Sequence, residues 1–157
     1  MASPFQLTDF IVDKIVYETE PTDATSHEKE PLDFVIEVEA RQVGKDKKSH
    51  VIALTLNINQ GEALGKRSYS LIMRIRGHFT LSEEMDKERR LNFFLPLAVS
   101  NLYGIARGVV AQITGLGPNQ RITLPTINIH QALKKPPQKI SVKKKEKTFP
   151  QVTARVK

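Results

Sequence analysis

The histidines are the side chains of this chain best suited to bind a metal ion or to carry a proton. They are His27, His50, His78 and His130. Their spacing matches no metal-binding motif such as His-Glu-x-x-His, which places two histidines one helical turn apart on the same face. The sequence therefore predicts solvated or structural histidines and no metal site.

Two other patterns match catalytic or cofactor motifs only in part. Gly115-Leu116-Gly117 lacks the third glycine of a dinucleotide-binding loop, and it follows a predicted helix instead of opening one. The acids Glu83, Glu84 and Asp86 have no nucleophile pattern beside them, and the sequence contains neither a Gly-x-Ser-x-Gly motif nor a phosphate-binding loop. We therefore predict that the protein is not an enzyme and uses no cofactor.

Charge is distributed unevenly along the 157 residues. Residues 134–157 carry nine lysines and arginines and one acid, a net charge of +8, whereas the whole chain is +7 and residues 1–133 are −1. This contrast predicts a globular domain at 1–133 and a basic, flexible tail at 134–157. The absence of cysteine fits a reducing compartment, and the N-terminus lacks the basic segment of a secretory signal, so we expect a cytoplasmic protein.

Alternating apolar and polar residues predict four strands in the first half of the chain. They cover residues 5–18, 32–43, 51–59 and 68–81. The first has a change of apolar parity near Asp13, which indicates a β-bulge. Because the connections are short and one face is apolar, we predict an antiparallel sheet.

Residues 91–120 predict the main helix, because they are apolar and carry a single charge, Arg107. Pro96 suits the first helical turn, and Gly115 suits the position after the last. The apolar stripe consists of Leu95, Val99, Leu102, Ala106, Val109 and Ile113. A membrane span is disfavoured by Arg107, by Pro96 and by the broken apolar run. We therefore expect the helix to pack on the sheet on one side and on another subunit on the other.

Two further signals complete the prediction of the fold. Thr80-x-x-Glu83 predicts a capping box that opens a short charged helix at 83–90. Pro125 predicts an extended segment at 122–129. Together the elements predict an α+β fold, in which one long helix and one short helix pack on a four-stranded antiparallel sheet and a basic C-terminal tail follows.

Three segments, in their order and spacing, resemble the SecB family of protein-export chaperones over residues 5–133. They are residues 73–80 of the fourth strand, residues 102–107 of the long helix and residues 124–129 after it. The resemblance implies a SecB-like fold and an ATP-independent holdase, which binds unfolded polypeptides in apolar grooves and serves protein export and translocation. It also implies a homotetramer built as a dimer of dimers.

The resemblance also indicates where clients and subunits would bind. The candidate client-binding residues are Phe93, Phe94, Leu95, Leu97 and Tyr103. Gly104 and Gly108, with Val109, are the candidate subunit interface, because two small residues four apart admit a second helix closely. The alternative interpretation is that the aromatic and leucine residues only form core or subunit interface.

Partner docking is assigned to Glu18, Arg74 and Arg76. Glu18 matches an acidic position at which SecB proteins dock on the SecA motor ATPase, whereas the fourth strand carries two arginines and has Ile72 where such proteins have an acid. SecA or an antitoxin is the expected partner. The second partner would make the protein a SecB-like chaperone dedicated to a toxin–antitoxin system.

The basic tail supports a hypothesis of a different class. Its lysine cluster at 143–145 has the composition of segments that bind phosphate backbones with steep salt dependence. The globular part has no aromatic RNA-binding motif, so any such binding would be non-specific. A nucleic-acid or ribosome-associated module is therefore the alternative to a chaperone.

Overall fold

A computed structural model of the chain describes residues 3–19, 34–59, 69–118 and 121–134, together with the backbone of 152–156. The strands are β1 (Phe5–Thr19), β2 (Phe34–Val43), β3 (Ser49–Ile58), β4 (Tyr69–Leu81) and β5 (Val152–Val156). The helical elements are α1 (Lys87–Arg89), a π-helical turn (Arg90–Phe94), α2 (Leu95–Thr114) and α3 (Ile129–Lys134). The predicted α+β class and its four strands before the helices are confirmed.

The described strands form one sheet in the order β1-β4-β3-β2-β5, in which all neighbours are antiparallel. β2 and β3 form a hairpin whose turn contains Gly44 at φ +84°, a left-handed conformation that glycine adopts without strain. β1 pairs with β4 and not with β2, so the chain crosses from one side of the hairpin to the other between β1 and β2. β1 and β5 are therefore the two edge strands.

The core lies between one face of the sheet and α2. Alternate residues of β2, β3 and β4 are buried on this face, and they are Phe34, Ile36, Val38, Ile52, Leu54, Leu56, Ile58, Leu71, Met73, Ile75, Phe79 and Leu81. The α2 residues that pack against them are Ala98, Val99, Leu102, Ala106 and Val110. Burying one large aliphatic or aromatic side chain contributes about 1.5–3 kcal/mol, so this layer is the main source of stability.

The buried stripe of α2 follows the predicted positions only at first. The predicted residues that are buried are Leu95, Val99, Leu102 and Ala106. Beyond them Val110 and Thr114 are buried, where the apolar spacing predicts Val109 and Ile113. The predicted end of the stripe is therefore wrong, because successive four-residue steps exceed the 3.6-residue turn and move the stripe around the helix.

Gly77 of β4 lets α2 approach the sheet closely. A Cβ at this position would lie 2.8 Å from Leu102 Cδ2 and 2.8 Å from the Phe79 ring. Neither neighbour has room to move, since both are fully buried in the core. This contact explains why the inward-facing position 77 is a glycine.

The helical region begins later than the capping box predicts. Thr80 still belongs to β4, where it pairs with Gln6 of β1 and Ser49 of β3. Asp86 caps the helix instead, and its side chain accepts a hydrogen bond from the Arg89 N–H at 2.7 Å. The predicted start is wrong because sheet pairing on both sides holds Thr80 extended.

The C-terminal end of the chain adds a fifth strand in a region that the charge pattern assigns to the tail. β5 pairs with β2, from Val152 opposite Val38 to Val156 opposite Phe34. Residues 135–151, which include the lysine cluster at 143–145, lie outside the described residues. Part of the β2 edge is thus covered by the chain's own C-terminal residues.

Among the described residues, one helical segment, Lys87–Thr114, is long and apolar enough to cross a membrane. Half of its most apolar window is buried inside the fold, which is typical of a core helix. Arg107 is held by the fold, since its Nε donates a hydrogen bond to the Leu124 carbonyl at 3.0 Å. Packing on the sheet accounts for one side of this helix and leaves the other side exposed.

Candidate functional site

An open groove of about 360 Å³ lies beside the start of α2. Asn92, Phe93, Pro96, Leu97 and Ser100 form one wall, and residues 127–130, which lead into α3, form the other. The described lining residues include no acid, lysine or arginine. The groove therefore offers mainly apolar contact surface with a few polar groups, among them the imidazole of His130, and it is open to solvent.

Phe93 and Phe94 are neighbours with opposite environments. Phe94 is buried, and its ring centroid lies 5.5 Å from that of Phe5, 5.8 Å from that of Phe79 and 5.1 Å from that of His50. These edge-on contacts anchor the π-helical turn in the core. Phe93 is 44% exposed and lines the groove. Because Phe94 is anchored in the core, the side chain of Phe93 is directed toward the groove.

Two hydrogen bonds tie the second wall of the groove to α2. The Tyr103 hydroxyl donates to the Pro125 carbonyl at 2.8 Å, and Arg107 Nε donates to the Leu124 carbonyl at 3.0 Å. Burial raises the pKa of Tyr103 to about 12, so its hydroxyl stays protonated and donates at neutral pH. Residues 121–128 form neither helix nor strand, Ile129 of the segment predicted to be extended already belongs to α3, and these bonds join the segment to the helix.

His50 lies behind the groove wall and supports Phe94. Its Nδ1 donates a hydrogen bond to the Lys48 carbonyl at 3.2 Å. Burial lowers the pKa of His50 below its ordinary value of 6.5, and Arg90 acts in the same direction, while the bond to Lys48 opposes both. Its role is structural, and among the residues with described positions no cluster of acids and histidines could hold a metal ion.

The five candidate client-binding residues do not form one exposed surface. Phe93 and Leu97 line the groove and are 44% and 40% exposed. Phe94, Leu95 and Tyr103 are buried behind the wall, where they belong to the core. The run of apolar residues at 93–97 contains no signal for this division, because it arises from the π-helical turn and the aromatic cluster that anchors it.

The candidate subunit interface is exposed on α2. A Cβ at Gly104 or Gly108 would meet no atom of this chain within 4 Å, and Val109 is half-buried at the edge of the core. The exposed stripe continues from Leu97 through Asn101 to both glycines at helical spacing. The groove and the glycine surface are therefore parts of one continuous exposed side of α2.

The candidate docking residues lie on the sheet face opposite α2. Ser70 Oγ donates a hydrogen bond to Glu18 Oε2 at 3.4 Å. Arg74 donates to both carboxylate oxygens of Glu39, at 3.0 and 2.9 Å, and this lowers the pKa of Glu39 and raises that of Arg74.

Arg76 is also paired on this face. Its Nη2 lies 2.8 Å from Asp13 Oδ1, and the same carboxylate is 3.8 Å from Arg74 Nε. Both arginines of β4 are thus paired with acids of other strands, Asp13 on β1 and Glu39 on β2. The face carries a network of mixed charge, of which Glu18 is one exposed member.

Strand β1 carries exposed apolar residues that the sequence assignment of sites missed. Phe10, Ile11 and Ile15 are 44%, 42% and 38% exposed on this edge strand. The predicted bulge is confirmed by a register shift between Val12 and Lys14. The sequence signal for these residues is the adjacent apolar pair Phe10-Ile11, because adjacent residues of a strand point to opposite faces.

Comparisons with known proteins show a fold relationship. No protein-family model matches the chain, and no curated protein does. Among solved structures, the chain is similar to the Mycobacterium tuberculosis Rv1957 SecB-like chaperone, determined in complex with a ChAD peptide from the Rv1956 HigA1 antitoxin. The TM-score is 0.55 at 14% sequence identity, and the match covers 79% of this chain and 91% of that one. The chain therefore has a SecB-like fold.

Proposed function

We propose that this protein is a molecular chaperone, an ATP-independent holdase that binds unfolded or non-native polypeptides. The observation that carries the proposal is the open, mainly apolar groove between Phe93 and Leu97 on α2 and residues 127–130. Apolar contact without directional polar groups accepts many client sequences, which a holdase requires. Binding to the unfolded state alone also holds a client unfolded by mass action.

The proposal includes assembly into a homotetramer built as a dimer of dimers. Its support is the exposed apolar surface that one chain leaves uncovered, at Phe10, Ile11 and Ile15 on β1 and along the glycine side of α2. Apolar patches of this kind on a single chain commonly mark contact with other chains. Placed side by side in an oligomer, the open grooves would lengthen the surface available to an extended client.

Binding of a permanently unfolded protein tests the holdase directly. The probe is reduced and carboxymethylated α-lactalbumin with a fluorescent label, titrated with the full-length chain in the absence of nucleotide. We expect saturable binding, followed by fluorescence anisotropy, that is lost when the labelled protein is replaced by its native, disulfide-bonded form. Equal binding of the native and unfolded forms, or of neither, would rule out the proposed function.

A specific observation also favours an antitoxin as partner. The similar mycobacterial chaperone was solved with an antitoxin peptide, which supports a chaperone dedicated to a toxin–antitoxin system as the second candidate. The export function depends on SecA, and on the face around Glu18 the acids Asp13 and Glu39 are paired with Arg74 and Arg76. Immobilised full-length protein would be incubated with purified SecA and with an antitoxin encoded beside its gene. Retention of SecA alone would favour export, and retention of the antitoxin alone would favour the dedicated chaperone.

A further inference from the structure

The pairing of β5 with β2 has the form of a peptide bound to the edge of a sheet. Five consecutive residues of β5 pair with Phe34–Val38 in an unbroken antiparallel register. β5 comes from the far end of the chain, separated from α3 by the seventeen residues 135–151. β5 lies at the edge of the sheet, beyond the four strands formed by the first half of the chain.

The sequence of β5 matches the two faces of β2. The apolar pairs are Val152 with Val38, Ala154 with Ile36, and Val156 with Phe34. All three of these β2 residues are buried on the core face. The remaining residues, Thr153 and Arg155, take the register positions opposite Glu37 and Val35 on the other face. The edge thus accepts a strand that alternates small or β-branched apolar residues with polar ones.

β5 also approaches α3, whose first residues form part of one wall of the groove described above. It contacts α3 as well as β2, and α3 begins with Ile129 and His130, which line the groove. A polypeptide segment at the β2 edge would therefore lie against the same helix as a segment in the groove. One extended client could occupy both places.

We propose that the edge of β2 is a second polypeptide-binding site and that β5 occupies it as a ligand in cis. Its other occupant is an extended segment of a non-native polypeptide, with alternating β-branched or small apolar residues and a polar or basic residue between them. Main-chain hydrogen bonds supply affinity that is independent of sequence, and the alternate positions supply preference. The identity of this occupant as a client rests on the proposed holdase function, whereas the peptide site itself does not.

The tether makes β5 a competitor of incoming segments. A segment tethered to its site through a short stretch of chain acts at an effective concentration of about 1 mM. A free peptide that binds the empty edge with a dissociation constant of about 0.1 mM would therefore appear about tenfold weaker while β5 is in place. Only clients that outcompete the C-terminal segment, or that bind the groove at the same time, would reach the edge.

A peptide of residues 151–157 tests the site. The labelled peptide Gln-Val-Thr-Ala-Arg-Val-Lys is titrated into the full-length protein and into the full-length double variant Thr153→Pro/Ala154→Pro. Successive N–H groups of a strand point alternately toward and away from the neighbouring strand. One of any two consecutive residues therefore donates to β2, and replacing both with proline removes that donor. We expect about tenfold tighter binding to the double variant. The control variant Ala154→Val, which keeps its N–H, should bind like the unaltered protein.

Equal binding of the peptide to the unaltered protein and the double variant would overturn the site. The site would also be overturned if a peptide with the same two prolines bound the double variant as tightly as the unaltered peptide does. Hydrogen exchange on the unaltered protein provides a second measurement, independent of the variant. Excess peptide should speed exchange of the amides of Val152–Val156 while those of Phe34–Val38 stay protected. Unchanged exchange in the C-terminal segment would also overturn the proposal.

The same system separates this inference from the holdase. Unlabelled carboxymethylated α-lactalbumin should displace the labelled peptide from the double variant. Peptide binding without displacement would leave the edge site in place and remove the client as its occupant. Binding of the unfolded protein by a chain that never binds the peptide would leave the holdase in place and overturn the edge site.

Discussion

Phe93 and Leu97 are the residues on which the proposed client contact depends, because they are apolar, exposed and held on a helical wall. A client that covers them removes apolar surface from water without any rearrangement of the chaperone. Their neighbours Phe94 and Leu95 are different, since truncating a buried aromatic or leucine side chain to alanine costs about 2–5 kcal/mol of stability. The distinction between these adjacent residues determines where variants can be informative.

The variant Leu97→Gln should weaken client binding without unfolding the protein. Losing about half of the burial free energy of a leucine, roughly 1 kcal/mol, corresponds to about fivefold weaker binding. The matched control is Leu116→Gln, because Leu116 is 89% exposed and does not line the groove. Anisotropy titration of the labelled unfolded protein measures both. The groove would be excluded as the site if the two variants bound equally well.

His50 gives the protein a pH-dependent stability. Its pKa is lowered by burial, so the unfolded state binds its proton at a higher pH than the folded state does. The neutral ring contributes fully to the free energy of unfolding above pH 6.5, the pKa of the histidine in the unfolded state. This contribution is lost as the pH falls from 6.5 through the lower pKa of the folded state. NMR titration of the ring should give a midpoint below 6.5, and the thermal midpoint should fall over the same range. A ring midpoint at or above 6.5 would contradict this.

At the residue scale the sequence predicts the stretch that forms one wall of the groove but not which members of it are exposed. The apolar run at 93–97 indicates the groove wall. The inward positions of Phe94 and Leu95 depend on aromatic partners that are distant in sequence, such as Phe5 and Phe79. Likewise, nothing local distinguishes Tyr103 from a surface residue until its partner, the Pro125 carbonyl, is in place.

At the scale of elements, the glycines of β4 and α2 have opposite roles, and substitution should separate them. Gly77→Ala should lower the free energy of unfolding by about 1–3 kcal/mol, because its Cβ would overlap Leu102 and Phe79. Gly104→Ala should raise the stability of the subunit by up to about 1 kcal/mol, because the new Cβ meets open space and alanine favours the helix.

Urea unfolding of both alanine variants measures the difference, with Gly108→Ala as a repeat of the exposed case. If Gly104→Ala destabilised the isolated subunit as much as Gly77→Ala, the exposed position of this side of α2 would be wrong. A smaller loss confined to the assembled protein would instead point to close subunit packing at Gly104.

The elements differ in how well the sequence predicts them. The alternation in β2 and β4 is strong because each of these strands buries one face, and both were predicted nearly to their ends. The start of the helix was missed because pairing of Thr80 on two sides outweighs a local capping signal. β5 was missed because five alternating residues inside a basic segment carry little weight until the β2 edge is known to be free.

At the scale of the whole molecule, the single chain leaves two apolar surfaces uncovered, on edge strand β1 and along α2. We expect assembly to cover at least part of them, and the variant Gly104→Leu tests the α2 surface. A leucine there should fit the isolated subunit but prevent close approach of a second helix. Light scattering after gel filtration should give four times the chain mass for the unaltered protein and a smaller mass for this variant.

The control for assembly is Thr123→Leu, which adds the same side chain at an exposed position outside α2. This variant should keep the mass of the unaltered protein. If Gly104→Leu assembled normally, the glycine surface would not be a subunit interface, and β1 would be the remaining candidate. A monomeric unaltered protein would contradict the proposed tetramer altogether.

The fold and the groove lead to one central claim, that the assembled protein keeps non-native chains in solution without nucleotide. The most direct measurement is light scattering during dilution of a chemically denatured, aggregation-prone protein into buffer with the full-length chain and no ATP. We expect the unaltered protein to suppress aggregation at stoichiometric tetramer concentrations. The Leu97→Gln variant should suppress it less, and the Leu116→Gln variant should suppress it as well as the unaltered protein does. The claim would be contradicted if the client aggregated as fast with a large molar excess of the chain as it does without it.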